Sequence, residues 1–457
     1  MKEKLPKDMF IHAWIIVLAA IPSMLDATMI NLAIPLIGQA FRTSLVVVQW
    51  GITGYILAAV VSTPFVNWLL NRYPGKKILL YSVVGFTLVS LIVGSSWSIV
   101  SFIIFRSIQG LIAGLIPPTM STLLVKTAGK KYLGRIISIV TTPLLLGPIL
   151  APSLAGFLLT YLSWRWLFWL NLLVGFLSVV LIYVYLPNYA TEADDVKLDL
   201  IGLVIIAISS VSGLYWLSQT NSFTAFTQLS TLKYALAFVI TLALYVYYDL
   251  RCKHKTILPL NLFQSLAFSL KSIAVLVANA IILGALLPLP LYFTSYLHAS
   301  IHQEALFLAS QGMGMIVTRP FIGKWIDRFG AKNVYLIGTI IAVIGTLPFV
   351  FFHESVVESW IILCLFIRGL SFGAITIGLT ADIYHEVPQN LLPAASVTIQ
   401  LLENLGTAFG TALFSALLTI HITEVLRYRN IFIVMLLGFI LLFFIGLRLP
   451  KPTKNYR

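Results

Sequence analysis

The chain has 457 residues, 59% of them hydrophobic and only 10% charged, with a formal net charge of +14; its mean hydropathy is +0.96. A soluble domain carries roughly 25% charged residues, so this composition leaves too little water-facing surface for a soluble fold and excludes that class. The apolar runs far exceed the roughly 10 residues of a barrel strand, which leaves an all-α integral membrane protein.

Lys2, Lys4 and Lys7 precede a long apolar stretch with no small-residue cleavage site, so the N-terminus reads as a retained first span. Runs of spanning length lie near 11–37, 44–70, 78–97, 99–124, 136–161, 165–187, 199–218, 232–249, 270–297, 304–323, 333–352, 359–382, 393–420 and 430–449, which makes 14 spans. An even number sets both termini on one side. If that side is the cytoplasm, about 22 of the 30 Lys and Arg face inward and about 5 outward, so both termini are expected in the cytoplasm. The same bias accounts for the positive charge without nucleic acid. Trp14, Trp50, Trp97 and Trp360 fall near span ends and read as interface anchors. Cys252 and Cys364 have neither disulfide nor metal spacing.

Asp26 is the only charge between Ile11 and Gln39. A carboxylate at that depth is costly unless it faces protein or water, which makes it a functional candidate. At 1.5 Å per residue it lies roughly 9 Å from the outer surface, and Arg106 of the fourth span lies roughly 10 Å from the same surface. Equal depth permits an ion pair, either a switch or a permanent packing element. In the fifth span Gly147, Pro148, Pro152 and Gly156 kink the helix and let neighbours approach closely. The segment 256–268 is apolar with scattered polar positions and is expected along the cytoplasmic interface. His298 and His302, four apart with Glu304 nearby, have metal-binding spacing but fall in a predicted loop, so they read as solvated.

Arg319 lies close enough to a span end to snorkel or to brace Asp327. Arg368 is expected to pair with Glu403 or Asp382, and Asp382, His385 and Glu386 read as a solvated network. Glu403 shares one helical face with Gln400, Asn404 and Thr407, a polar stripe that should face a cavity or a partner. It is a candidate proton site, cation site or both. Asn31, Gln109, Asn279, Gln400 and Asn404 are candidates for lining a pocket.

The chain repeats itself. Asn67–Lys77 follows the second span and Gly323–Lys332 follows the tenth, with an offset of 256 from Asn71 to Asp327; Arg106 and Arg368 differ by 262. Two six-helix halves are expected, at 1–190 and 256–457, with two inserted transmembrane helices at 191–255. Such duplicated halves hold substrate between them at the midplane.

Leu25–Pro35, acid included, resembles the first-helix motif of the 14-helix drug:proton antiporter branch of the major facilitator superfamily. Arg106-Ser107-Ile108-Gln109-Gly110 resembles that superfamily's fourth-helix motif. Ser138, Gly147, Ala151, Pro152, Ala155 and Gly156 match the spacing of the fifth-helix antiporter motif, and Trp164–Phe168 with Asn171 resembles the start of the branch's sixth helix. The resemblance implies proton-coupled export of lipophilic, often cationic, compounds by alternating access. Asp26, Arg106 and Glu403 are then the coupling and binding groups. The implied protein works in the plasma membrane, functions as a monomer and needs protons as coupling ion but no cofactor. The family's acidic loop residue is Asn71 in the first half, so the gate is expected in the second, at Gly323, Asp327 and Arg328, with Arg368 behind it. The alternative is a secondary transporter of an anion, a metal–drug chelate or a metabolite on the same scaffold. His-Glu-x-x-His and the phosphate-loop motif do not occur, which argues against a metalloprotease-type enzyme or an ATP-driven pump.

Overall fold

The computed structural model describes residues 6–140, 154–189, 197–220, 222, 224–252, 256–351, 356–420 and 422–449. These residues form helices and connections, with no strand among them. Among the described residues twelve helices are long and apolar enough to cross a membrane, thirteen if a pair bent by 47° is read as one span. The expected fifth span passes through residues outside the described set, which include Gly147, Pro148 and Pro152; helix is seen up to Val140 and again over 154–161.

The first span is α1 (Lys7–Leu18) and α2 (Ile21–Ala40), interrupted at Ala19–Ala20. Pro22 opens α2, where a missing N–H costs nothing. The bent second span is α3 (Leu45–Ser62) and α4 (Phe65–Arg72), broken at Pro64. Then come α5 (Gly75–Gly94), α6 (Ile99–Ala113) and α7 (Ile116–Val140), which turns at Gly129 with φ 59°. α8 is Trp166–Tyr185, and α9 (Leu200–Gln219) pairs with α10 (Leu229–Arg251) as a hairpin. α11 (Leu266–Ile282) continues irregularly past Pro288 and Pro290 to Tyr296. α12 (Ile301–Phe329), α13 (Ala331–Thr346), α14 (Glu358–Glu386), α15 (Leu392–Leu418) and α16 (Glu424–Arg448) complete the chain. One end of the bundle gathers Arg72, Lys76, Lys77, Arg135, Lys324, Arg328 and Arg448 and is called the basic end.

We refer to α1–α8 as the first half and to α11–α16 as the second. The α3–α6 crossing of the first recurs as α12–α14 in the second. Both crossings bring backbones together, which only glycine permits. A Cβ at Gly110 would lie 2.2 Å from the Tyr55 carbonyl, and one at Gly369 would lie 2.0 Å from that of Gln311. These contacts register the halves at offsets of 256 and 259. Arg368 is therefore the counterpart of Gln109, not of Arg106, which corrects the offset of 262 read from the sequence.

The segment from Thr256 to the start of α11 packs against the inserted hairpin. It is clamped because its polar backbone finds partners on the inserted hairpin. Asp199 accepts from the Ile257 N–H at 3.0 Å and from the Tyr248 hydroxyl at 2.8 Å. Asp249 accepts from the Thr256 hydroxyl and, at 3.2 Å, from the Leu260 N–H. The Tyr245 hydroxyl donates to the Leu258 carbonyl at 3.0 Å, and the Asn67 amide of α4 donates to the Ile257 carbonyl. α9 and α10 are thereby tied to both halves at the basic end.

Gly156 makes no close helix approach: a Cβ there would meet nothing within 4 Å. Gly110→Ala and Gly369→Ala should each destabilise the protein by about 1–3 kcal/mol through overpacking, while Gly156→Ala should be neutral. Melting temperatures of the purified variants in detergent check this, and an equal effect at all three positions would contradict the packing.

Candidate functional site

Asp26 stands early in α2 and points into the first half. Its Oδ2 accepts from Arg106 Nη1 at 2.5 Å and its Oδ1 from Asn171 Nδ2 at 3.3 Å. The same Arg106 nitrogen donates to Gln109 Oε1 at 2.6 Å, Gln109 Nε2 donates to Ser90 Oγ at 2.7 Å, and Ser90 donates to the Phe86 carbonyl at 2.8 Å. The guanidinium carbon lies 4.2 Å from the centre of the Tyr55 ring, a cation–π contact in a dry setting. Asp26, Arg106, Gln109, Asn171 and Ser90 are all at most 2% exposed. The ion pair expected from equal depth is formed, and four elements, α2, α5, α6 and α8, supply its network. Gln109 belongs to this network and not to a pocket. Asn31 does not reach it: it is exposed and donates to the Thr28 carbonyl of its own helix at 3.3 Å.

A separate cavity of about 380 Å³ lies between the halves. Met24, Met120 and Leu124 line it from the first half, and Asn279, Arg319, Tyr384, Gln400, Glu403 and Asn404 from the second. Three of the five pocket candidates, Asn279, Gln400 and Asn404, are thus brought together with Glu403. The Gln400 amide donates to Asn404 at 3.4 Å, and Asn279 donates to the Val275 carbonyl at 2.9 Å. No hydrogen bond or ion pair holds the Glu403 carboxyl among the described residues.

Arg368 does not pair with Glu403 or Asp382. It is fully buried, donates to Met435 Sδ at 3.4 Å and lies 5.4 Å from the Phe372 ring centre. Lys271 takes its place beside Asp382: Lys271 Nζ lies 2.8 Å from Asp382 and 2.7 Å from Glu386, with only 1% of its side chain exposed. Sequence reasoning missed Lys271, although it falls at the start of an apolar run of spanning length, 270–297. Arg319 neither snorkels nor braces Asp327. It is buried and faces the cavity, because α12 continues past Arg319 for more than two turns.

The halves meet at the basic end. Arg135 of α7 lies 2.5 Å from Asp327 of α12, and Thr122 donates to Ser396 at 2.9 Å with both side chains buried. Gly323 allows the approach: a Cβ there would lie 2.5 Å from the Arg135 Cα. Arg328, named with Asp327 and Gly323 as a gate residue, is exposed and rests 5.1 Å from the Phe329 ring centre. The bridge to Arg135 spans the halves, and adjacency in sequence gave no sign of it.

The sequence profile of the Major Facilitator Superfamily matches residues 16–289 and 272–457, essentially the whole chain. The chain belongs to the major facilitator superfamily. This facilitator is 28% identical over 419 residues to a Multidrug resistance protein B homolog of Mycobacterium tuberculosis, covering 91% of this chain and 77% of that protein. It is 27% identical to Multidrug export protein EmrB of Haemophilus influenzae, with coverages of 90% and 82%. Among solved structures, the human organic anion transporter MFSD10 aligns with a TM-score of 0.69 at 12% identity, over 97% of this chain and all of that one. The proton:xylose symporter XylE aligns at 0.65 and 15% identity, with coverages of 97% and 96%. These structural likenesses establish the fold: the multi-pass helical architecture of the facilitators.

The Arg135–Asp327 bridge is a partly exposed pair worth about 1 kcal/mol, or roughly fivefold in a two-state equilibrium. In a background with Cys252→Ser and Cys364→Ser, a Ser396→Cys probe should react with maleimide about fivefold faster on Asp327→Asn. The swapped pair Arg135→Asp with Asp327→Arg should return the rate towards its starting value.

Proposed function

We propose that this facilitator is a proton-coupled antiporter that exports lipophilic compounds, cations among them, across the plasma membrane by alternating access. The observation that carries this reading is Glu403: a carboxyl with no hydrogen-bond or ion-pair partner among the described residues, in a cavity between two repeated halves. An ionised Glu403 attracts a cationic group, and a protonated Glu403 releases it. Competition between proton and substrate for one oxygen pair is the simplest form of exchange. Two curated relatives carry multidrug resistance or export in their names, which supports drug-like cargo.

Asp26 and Arg106 act in this reading as the conformational partner of Glu403. Protonating Asp26 removes the counter-charge of a buried guanidinium and leaves it with Gln109 and the Tyr55 face. That loss biases α2 against α6. Asp327 and Gly323, together with Arg135, form the gate on the basic end, and the positive-inside bias supports a cytoplasmic orientation for that end and for both termini. The functional units are the halves 1–190 and 256–457 with the inserted pair 191–255 between them. The protein works as a monomer, with protons as coupling ion and no cofactor. A secondary transporter of another cargo on this scaffold is the competing reading.

Reconstituted in proteoliposomes under an imposed pH gradient, Asp26→Asn should lower transport at least about tenfold while the protein remains folded. Glu403→Gln should abolish the competition between protons and a lipophilic cation. Wild-type rates in the Asp26 variant, or cargo movement with no proton flux, would defeat the coupling.

A further inference from the structure

A groove of about 430 Å³ lies near the basic end and shares no lining residue with the cavity between the halves. It sits where the second span bends by 47° and the fourth is interrupted. Phe65 and Leu69 of α4 line it, with Ile112 and Leu115 from the α6–α7 break. The start of α5 adds Lys77, Tyr81 and Ser82. Lys77 is the third residue of that helix, and Tyr81 stands about 6 Å deeper on the same face. Tyr81 is 68% exposed, so the groove opens sideways, towards lipid. Its mouth is positive. Lys76 is engaged by the Tyr183 carbonyl at 2.9 Å, but Lys77 and Arg72 meet no carboxylate among the described residues. Arg72 lies 5.8 Å from the Trp68 ring centre and 5.9 Å from that of Tyr73, and Trp68 stacks on Phe65 at 5.0 Å. Two cations thus flank one aromatic rim. Ser82 is only 4% exposed and makes no hydrogen bond with another described residue.

The occupant that fits is amphiphilic and anionic. A lipophilic cation is repelled at this mouth, and a purely apolar molecule leaves both charges unanswered. An acyl chain matches the groove, while a phosphodiester meets the cations. Basic pockets between transmembrane helices take anionic headgroups for this reason. Ser82, below Lys77, offers a donor to the ester carbonyl that follows the phosphate. We propose that the groove is a binding site for an anionic phospholipid, with an acyl chain against Leu69, Ile112 and Leu115 and the phosphate at Lys77 and Arg72. The lipid is held against the bend of the second span, apart from any transported compound.

The test is lipid titration of the full-length, delipidated protein in detergent, with native mass spectrometry counting the first lipid retained. Phosphatidylglycerol and phosphatidylcholine with identical acyl chains are compared. The wild type should bind phosphatidylglycerol at least about fivefold more tightly. Lys77→Gln should weaken phosphatidylglycerol about fivefold and leave phosphatidylcholine within about twofold. Lys324→Gln removes an exposed lysine of the basic end that does not line the groove, and it should leave both lipids unchanged. Leu69→Trp fills the groove without altering charge and should weaken both lipids. Inorganic phosphate should not displace the bound lipid. The inference is overturned if the wild type shows no headgroup preference, or if Lys77→Gln and Lys324→Gln act equally, which is the behaviour of a diffuse surface charge. It is overturned as well if Leu69→Trp binds phosphatidylglycerol like the wild type, or if phosphate alone competes. Should Leu69→Trp fail to fold, the contrast between the two exposed lysines decides. The readout is binding and not transport, so either result leaves the export reading untouched.

Discussion

An ionised side chain inside a membrane protein must be answered by charge or hydrogen bonds, because neither water nor lipid will do so there. The Asp26–Arg106 pair is where this chain meets that demand most completely. The carboxylate has Arg106 and Asn171, and the guanidinium has Asp26, Gln109 and the Tyr55 ring. Breaking a buried pair by removing one partner costs about 3–5 kcal/mol. The network therefore fixes α2, α5, α6 and α8 against one another and makes the first half a stiff body.

The second half solves the same problem differently, although its helices repeat those of the first. At the position of Gln109 it has Arg368, which faces Met435 and Phe372 where the first half has an acid–base network. Its carboxylates lie elsewhere: Asp382 and Glu386 hold Lys271 near the basic end, and Glu403 is left to the cavity. The loops after α4 and α12 diverge as well. Gly323 and Asp327 dock on Arg135 across the seam, whereas their counterparts Asn67 and Asn71 bond each other at 3.0 Å and Asn67 reaches the Ile257 carbonyl. The loss of the acid at Asn71 thus goes with an amide link to the inserted hairpin's exit segment. One duplicated loop closes the seam by charge, and the other holds the hairpin in place.

These differences mark the limit of what the sequence alone can convey. Span periodicity and the 1.5 Å rise were enough to bring Asp26 to Arg106, because depth along a helix is a one-dimensional quantity. The face shared by Gln400, Glu403 and Asn404 was legible for the same reason. Contacts between helices were not: Arg135 meets Asp327 and Thr122 meets Ser396 across 192 and 274 residues, and nothing in local spacing selects those partners. Arg368 was misregistered because two arginines look equivalent in a string, whereas backbone contacts at Gly110 and Gly369 align it with a glutamine. Lys271 was overlooked because a lysine near a helix start resembles a loop charge until burial is known, and Arg319 because its helix runs well beyond the apolar core.

Interaction strengths decide where such a molecule yields. The seam at the basic end has a partly exposed bridge, worth about 0–1 kcal/mol, and a neutral hydroxyl pair, worth about 0.5–1.5 kcal/mol. Within the halves stand the sealed pair, at about 3–5 kcal/mol to break, and the backbone-to-backbone glycine crossings, at about 1–3 kcal/mol to disturb. Motion should therefore open the seam and leave the halves intact, as rigid-body alternation requires. Glu403 stands where that motion matters. In the proposed exchange it lies between the bodies, with no hydrogen-bond or ion-pair partner among the described residues, so its charge can follow the ligand and the proton.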